Sequence, residues 1–183
     1  SFPQDEAMIA RPAAAVAAGL LIAVVLAAPA AAAPLTARTT DISSPSACRS
    51  TSNHPDFAMV ACKGIGGWKV HLADSGIHAV ITFGEDHGGQ PSYWLSGSGF
   101  DRTIEWRMDG DRPVATIHKV EVRKGGLWAV NRLDGKRACR VAHVNASVPR
   151  AREVARELAD VAATEFRCGK DKPGEIGRPV YEE

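Results

Sequence analysis

Between Trp68 and Ala146 apolar and polar residues alternate with a period of two, and turn signals break the alternation about every ten residues. That rhythm admits short antiparallel strands and little else. Trp68, Val70 and Leu72 alternate with Lys69, His71 and Ala73, and Asp74-Ser75-Gly76 then turns the chain. Ile77, Ala79, Ile81 and Phe83 supply the next apolar face, opposite His78, Val80 and Thr82. So short a connection makes the two segments an antiparallel hairpin. Further on, Thr103–Met108 sends Ile104, Trp106 and Met108 one way and Glu105 and Arg107 the other. After Asp109-Gly110, the segment Pro113–Arg123 gathers Val114, Thr116, His118, Val120 and Val122 on one face, which is expected to be buried. Leu127–Leu133 follows Gly125-Gly126, and Cys139–Ala146 follows Asp134-Gly135; in the latter Cys139, Val141 and His143 share a face. An apolar run, Phe57–Ala61, reads as an edge strand.

The period then changes. From about Pro149 to Phe166, Ala151, Val154, Ala155, Leu158, Val161 and Ala162 recur at helical spacing and form one apolar stripe. Ser147 is placed to cap this helix, and Pro149 suits a first turn, where its missing N–H costs nothing. Arg152, Arg156 and Asp160, with Glu153 and Glu157, form the expected wet side. The fold class that follows is α+β: an antiparallel meander of about five to seven strands packed by one C-terminal helix.

All four cysteines, Cys48, Cys62, Cys139 and Cys168, lie in the part of the chain with strand and helix patterning. An even number without C-x-x-C or close Cys/His spacing favours disulfides over zinc. The pairs Cys48–Cys62 and Cys139–Cys168 are favoured because each closes one local unit. Upstream, Arg11, an uncharged run centred on residues 20–26 and the small residues ending at Ala32 make a secretory signal with cleavage after Ala32. The domain expectation is therefore a signal peptide at 1–32, with Met8 as an alternative start. A flexible leader at 33–47, one disulfide-bonded domain at 48–169 and a loosely ordered tail at 170–183 follow. The expected location is periplasmic or secreted.

Without residues 1–32, which hold Asp5, Glu6 and Arg11, the formal charge moves from +1 to +2. So small a charge, without a basic block, excludes a nucleic-acid footprint. The expected partner is an unknown periplasmic protein or cell-envelope ligand. A membrane enters only through the signal segment, if that is retained.

Chemistry is sparser than architecture. Gly84–Gly99 is the longest polar, glycine-rich connection, and a loop of that length in a small domain is a candidate for function. It carries Glu85, Asp86 and His87 and the amphipathic pair Tyr93 and Trp94, the five candidate binding residues. No P-loop, dinucleotide fingerprint, G-x-S-x-G or H-E-x-x-H motif occurs. No catalytic residue, metal or cofactor is assigned. Two histidine groupings support an alternative reading as a small hydrolase or metal-dependent enzyme: His118 with His143, and the turn holding His71, Asp74 and His78.

Several short pieces carry a resemblance: Cys62-Lys63-Gly64, Gly67-Trp68-Lys69-Val70, Ile104-Glu105-Trp106-Arg107, Pro113-Val114-Ala115-Thr116-Ile117 and Cys139-Arg140-Val141-Ala142-His143-Val144-Asn145-Ala146. With the helix running to Cys168 they resemble small exported alphaproteobacterial proteins of unassigned function. The resemblance implies export and a fold, and it transfers no catalytic residues. The functional expectation is an exported, non-catalytic binding or structural module.

Overall fold

The computed structural model describes residues 33–44, 46–52, 58–75, 78–84, 93–96, 99–122 and 125–179, with backbone alone at 78, 93–96 and 122. All of these fall in one compact unit, Ala33–Glu183. The signal-peptide expectation at 1–32 lies outside the described residues.

The period-two segments are strands, and there are more of them than the alternation suggested. Early in the chain come β1 (Thr36–Asp41), β2 (Cys48–Ser50), β3 (Ala58–Lys63), β4 (Lys69–Asp74), β5 (His78–Gly84) and β6 (Tyr93–Ser96). Then follow β7 (Gly99–Phe100), β8 (Thr103–Asp109), β9 (Arg112–Val122), β10 (Gly125–Asp134) and β11 (Arg137–Asn145). The helix α1 (Ala151–Glu165) and a short β12 (Gly174–Ile176) complete the order. The described strands form one 12-stranded sheet with the path β1-β8-β9-β10-β11-β5-β4-β3-β2. This corrects the fold class: a strand-dominated, curled half-barrel with one helix replaces an α+β meander of five to seven strands.

Three features escaped the alternation. β1 pairs over six residues with β8, and Ile42 beyond it is buried, so the expected flexible leader at 33–47 includes an ordered strand. Its Thr-rich composition carries no period because its pattern is set by one neighbour, β8. β6 lies inside the expected Gly84–Gly99 loop and β7 begins at its last residue, and they pair with β5 and β9. β12 lies in the expected loose tail and pairs in parallel with β11. The segment at 57–61 corresponds to β3, which is internal because β2 covers its outer side.

A sheet of this many strands cannot stay flat, because strand twist accumulates until it curls. Here the curl encloses a core. From one arm come Cys62, Val70, Ile81 and Phe83; from the other come Ile104, Trp106, Met108, Val120, Leu127 and Ala129. Phe83 meets Trp106 edge-on at 5.9 Å, a geometry worth about 0.5–1.5 kcal/mol beyond area burial. The Trp106 indole Nε1–H donates to Thr40 Oγ1 at 2.9 Å, which ties β1 in. A Cβ on Gly64 would stand 2.6 Å from the Trp106 ring, so only glycine lets the β3–β4 turn rest there.

The outer face of β8–β11 holds a second core under α1. The alternation of β8 and β9 is therefore real, yet both faces are buried: Ala115 and Ile117 sit under the helix while His118 and Val120 face the enclosed core. The helix is also rotated relative to the expected stripe. Its buried residues are Ala151, Ala155, Ala159 and Ala162, whereas Val161 is 54% exposed. Small side chains let the helix approach closely, and the rotation carries Arg152, Arg156 and Asp160 from the expected wet side onto β8. There Arg156 donates to Glu105 at 2.7 Å and 2.9 Å, Arg152 donates to Glu105 at 2.9 Å, and Arg107 donates to Asp160 at 2.6 Å and 2.7 Å.

The expected cap is replaced as well. Arg150, with φ 56°, precedes the helix and gives no side-chain cap, while Ser147 instead donates its N–H and hydroxyl to Asn145 Oδ1. At the other end Arg132 of β10 donates to the carbonyls of Ala162 and Phe166, supplying the cation that the last helical turn lacks. The Cys139–Cys168 disulfide pins the same end to β11, and Cys48–Cys62 joins the directly paired β2 and β3. Both bonds form as favoured.

Candidate functional site

Sheet register decides which sequence candidates meet. His118 lies opposite Ala129, Ala129 opposite His143, and His143 opposite Glu175. These four residues therefore form one row on one face, crossing β9, β10, β11 and β12. A β-bulge makes this possible. Val130 pairs with Ala142 but Asn131 pairs with Arg140, so Val141 is an extra residue in β11. Cys139 then faces the helix beside Arg132, while His143 faces the enclosed core. The expectation that Cys139, Val141 and His143 share a face is corrected by that one residue.

The row does not make a reacting centre. His118 and His143 are two strand spacings apart, about 10 Å between backbones. His118 is fully buried between Phe83 at 5.7 Å and Phe100 at 6.0 Å, and neither ring nitrogen has a hydrogen-bond partner among the described residues. Burial pushes its pKa down to about 3, with a smaller contribution from His143, so the imidazole is neutral at any ordinary pH. His143 places Nδ1 3.1 Å from Glu175 Oε1. Glu175 was missed in the sequence because it follows Pro173-Gly174, in a segment that carries no strand pattern.

The second histidine grouping separates. His71 and Asp74 are an odd number of residues apart on β4 and so point to opposite faces. His71 pairs with Thr82, four positions from His78 along β5, a distance of about 13 Å. His71 is buried, and its Nε2–H donates to the Gly84 carbonyl at 3.3 Å. Its structural place is thus at the end of β5. No group of three His, Cys, Asp or Glu residues able to hold a metal occurs among the described residues.

Of the expected binding residues, two are described. Tyr93 and Trp94 are strand residues, in register with Ile81 and Val80 of β5. Glu85, Asp86 and His87 lie outside the described residues. Gly84, from which that segment departs, pairs with Lys69 of β4 on one side and Arg137 of β11 on the other. It also lines a concavity of about 170 Å³ with Gly66, Gly67, Trp68, Gly135 and Lys136. Three turns far apart in sequence build this hollow, and nothing in the sequence indicates that they converge.

Both disulfides belong to a chain that matures where thiols are oxidised, outside the reducing cytosol. Among the described residues no helix is long and apolar enough to cross a membrane. Comparison with protein-family models, curated proteins and solved structures finds no match to the chain.

Proposed function

We propose that the chain is an exported binding module, periplasmic or secreted, that presents the segment between Gly84 and Tyr93 to a protein or cell-envelope ligand and performs no chemistry of its own. The observation that carries this reading is the register around that segment. β5 delivers its first residue from a strand end paired on both sides, and β6 receives its last residue opposite Ile81. Gly84 and Tyr93, the two residues that flank the segment, are thus fixed in the sheet, and fixed end points lower the ordering cost of binding. Five candidate residues, Glu85, Asp86, His87, Tyr93 and Trp94, lie on it or at its return.

The sealed surroundings of His118 favour this reading over a hydrolase or metal enzyme, since a general base must come within hydrogen-bond reach of its substrate. A photo-crosslinking residue placed at Trp94, with Val161 on the far helix as control, tests the proposal in the cell that makes the protein. Adducts formed from position 94 and absent from position 161 are expected. Equal labelling from both positions, or none from 94, overturns it.

A further inference from the structure

The curled sheet is joined unevenly along its path. β9 and β10 pair over eight residues and β4 and β5 over six, whereas β5 and β11 share the single described pair of Gly84 and Arg137. On that side β11 next pairs with β12, from Ala142 to Val144. The described ladder is therefore weakest at one seam, between an arm made of β2–β6 and an arm made of β1 and β7–β12. Side chains of the enclosed core carry the junction: Phe83 of β5 meets Trp106 of β8 at 5.9 Å and His118 of β9 at 5.7 Å.

His118 is the polar member of that junction. It is fully buried, and neither ring nitrogen has a hydrogen-bond partner among the described residues. The described neighbours on its face offer no charge to balance a proton. β5 and β7 bring Phe83 and Phe100, β8 brings Ile104 and Trp106, and β10 brings Leu127, Ala129 and Asn131, none of which titrates. β11 brings His143, whose Nδ1 lies 3.1 Å from Glu175 Oε1 of β12, and Arg140, opposite Asn131 at an exposed position. An imidazolium in this setting loses its hydration and gains no counter-ion. Proton uptake therefore requires water at the ring. Parting the seam admits water at the loss of one described ladder pair, whereas parting β9 from β10 breaks eight.

We propose that the seam between β5 and β11 is an acid-sensitive hinge: protonation of His118 parts Phe83 from the β8–β9 side of the core, while each arm keeps its own ladder and α1 stays seated. The closed form holds the imidazole pKa down at about 3, and a ring in contact with water titrates near 6.5, so each unit of pH lost between 6 and 4 multiplies the open fraction about tenfold. Hydroxyl-radical footprinting of the purified full chain from pH 7 to 4, with amide exchange recorded in parallel, tests the hinge. Oxidation of Phe83 and Trp106 should rise at least tenfold between pH 6 and 4, while the amides of α1 and of the β9–β10 ladder stay protected. Neither leucine nor glutamine takes up a proton, so the rise should vanish in both His118→Leu and His118→Gln; the two differ in polarity, and a folding defect in one leaves the other to decide. No rise at Phe83 and Trp106, a rise that a folded variant retains, or a rise that comes only with loss of protection in α1 overturns the hinge.

Discussion

Glu105 on β8 and Arg156 on α1 are joined by two hydrogen bonds, of 2.7 Å and 2.9 Å, and the carboxylate side chain is only 4% exposed. Burial alone would raise the Glu105 pKa, but the hydrogen bonds and charges of Arg156 and Arg152 outweigh it, so the carboxyl titrates below its ordinary range. The pair thus carries a charge into the helix–sheet interface, where a single partner is costly to remove.

Glu105→Gln keeps the shape and removes the charge. Both arginines are partly exposed and rehydrate, so the loss should be about 2–3 kcal/mol, below the usual range for breaking a fully buried pair. Urea denaturation measures it. Replacing Glu105, Arg152 and Arg156 together by leucine should recover much of the loss, because no uncompensated charge remains under the helix.

His118 makes stability depend on pH in one direction. Its folded-state pKa, about 3, lies below the ordinary value of 6.5, so the unfolded chain binds the proton more tightly. The contribution is complete above pH 6.5 and is lost as pH falls from 6.5 towards 3. Between pH 6.5 and 4.5 it should remove roughly 2–3 kcal/mol. Thermal unfolding across that window checks the slope, and His118→Leu should flatten it. Below pH 4.5 the protonation of Glu105 adds a loss of the same sign, which the His118→Leu protein should retain.

The two disulfides should differ in worth. Cys139–Cys168 spans 29 residues and Cys48–Cys62 spans 14, and each doubling of a closed loop adds about 0.6 kcal/mol to the entropy removed from the unfolded chain. Cys139→Ser/Cys168→Ser should therefore cost more than Cys48→Ser/Cys62→Ser, each within about 2–4 kcal/mol. Denaturation of the two variants side by side gives the comparison.

The rotated helix makes a contrast between two small hydrophobic positions. Ala155 is fully buried against the sheet, so Ala155→Leu should overpack the interface and cost about 1–3 kcal/mol. Val161→Leu, on the exposed face, should change stability by less than about 0.5 kcal/mol. Melting temperatures of the two variants check both.

Apart from β6 and β7, strand positions from Lys69 to Asn145 were legible because alternation is a local property of each segment. So were the disulfides, each of which closes a neighbouring unit. Burial was less legible. Glu105 and Arg107 read only as the face opposite Ile104, Trp106 and Met108, because a sequence shows which residues share a face but not what covers it. The same limit applies to Arg152, Arg156 and Asp160: they form a stripe beside the alanines, and the ion pairs become visible only once the helix is set on β8. β1 and β12 escaped because their order comes from partners distant in the chain. The His118–His143 row depended on the extra residue Val141, which no alternation pattern reveals. The hollow at Gly84 is legible only as three glycine-bearing turns whose convergence is a property of the curl.

β1 also sets a schedule for folding. The hairpins β2–β3, β3–β4, β4–β5, β8–β9, β9–β10 and β10–β11 close between sequence neighbours, at low contact order. β1 must wait for β8, since Thr40 finds the Trp106 indole 66 residues downstream. A chain that emerges amino end first exposes β1 before the other described strands and secures it only after β8 has emerged. Through that interval its backbone is an unsatisfied edge that invites pairing with other chains. The first of the described strands is thus secured only after β8, so substitutions that weaken β8 should leave β1 open to pairing with other chains for longer.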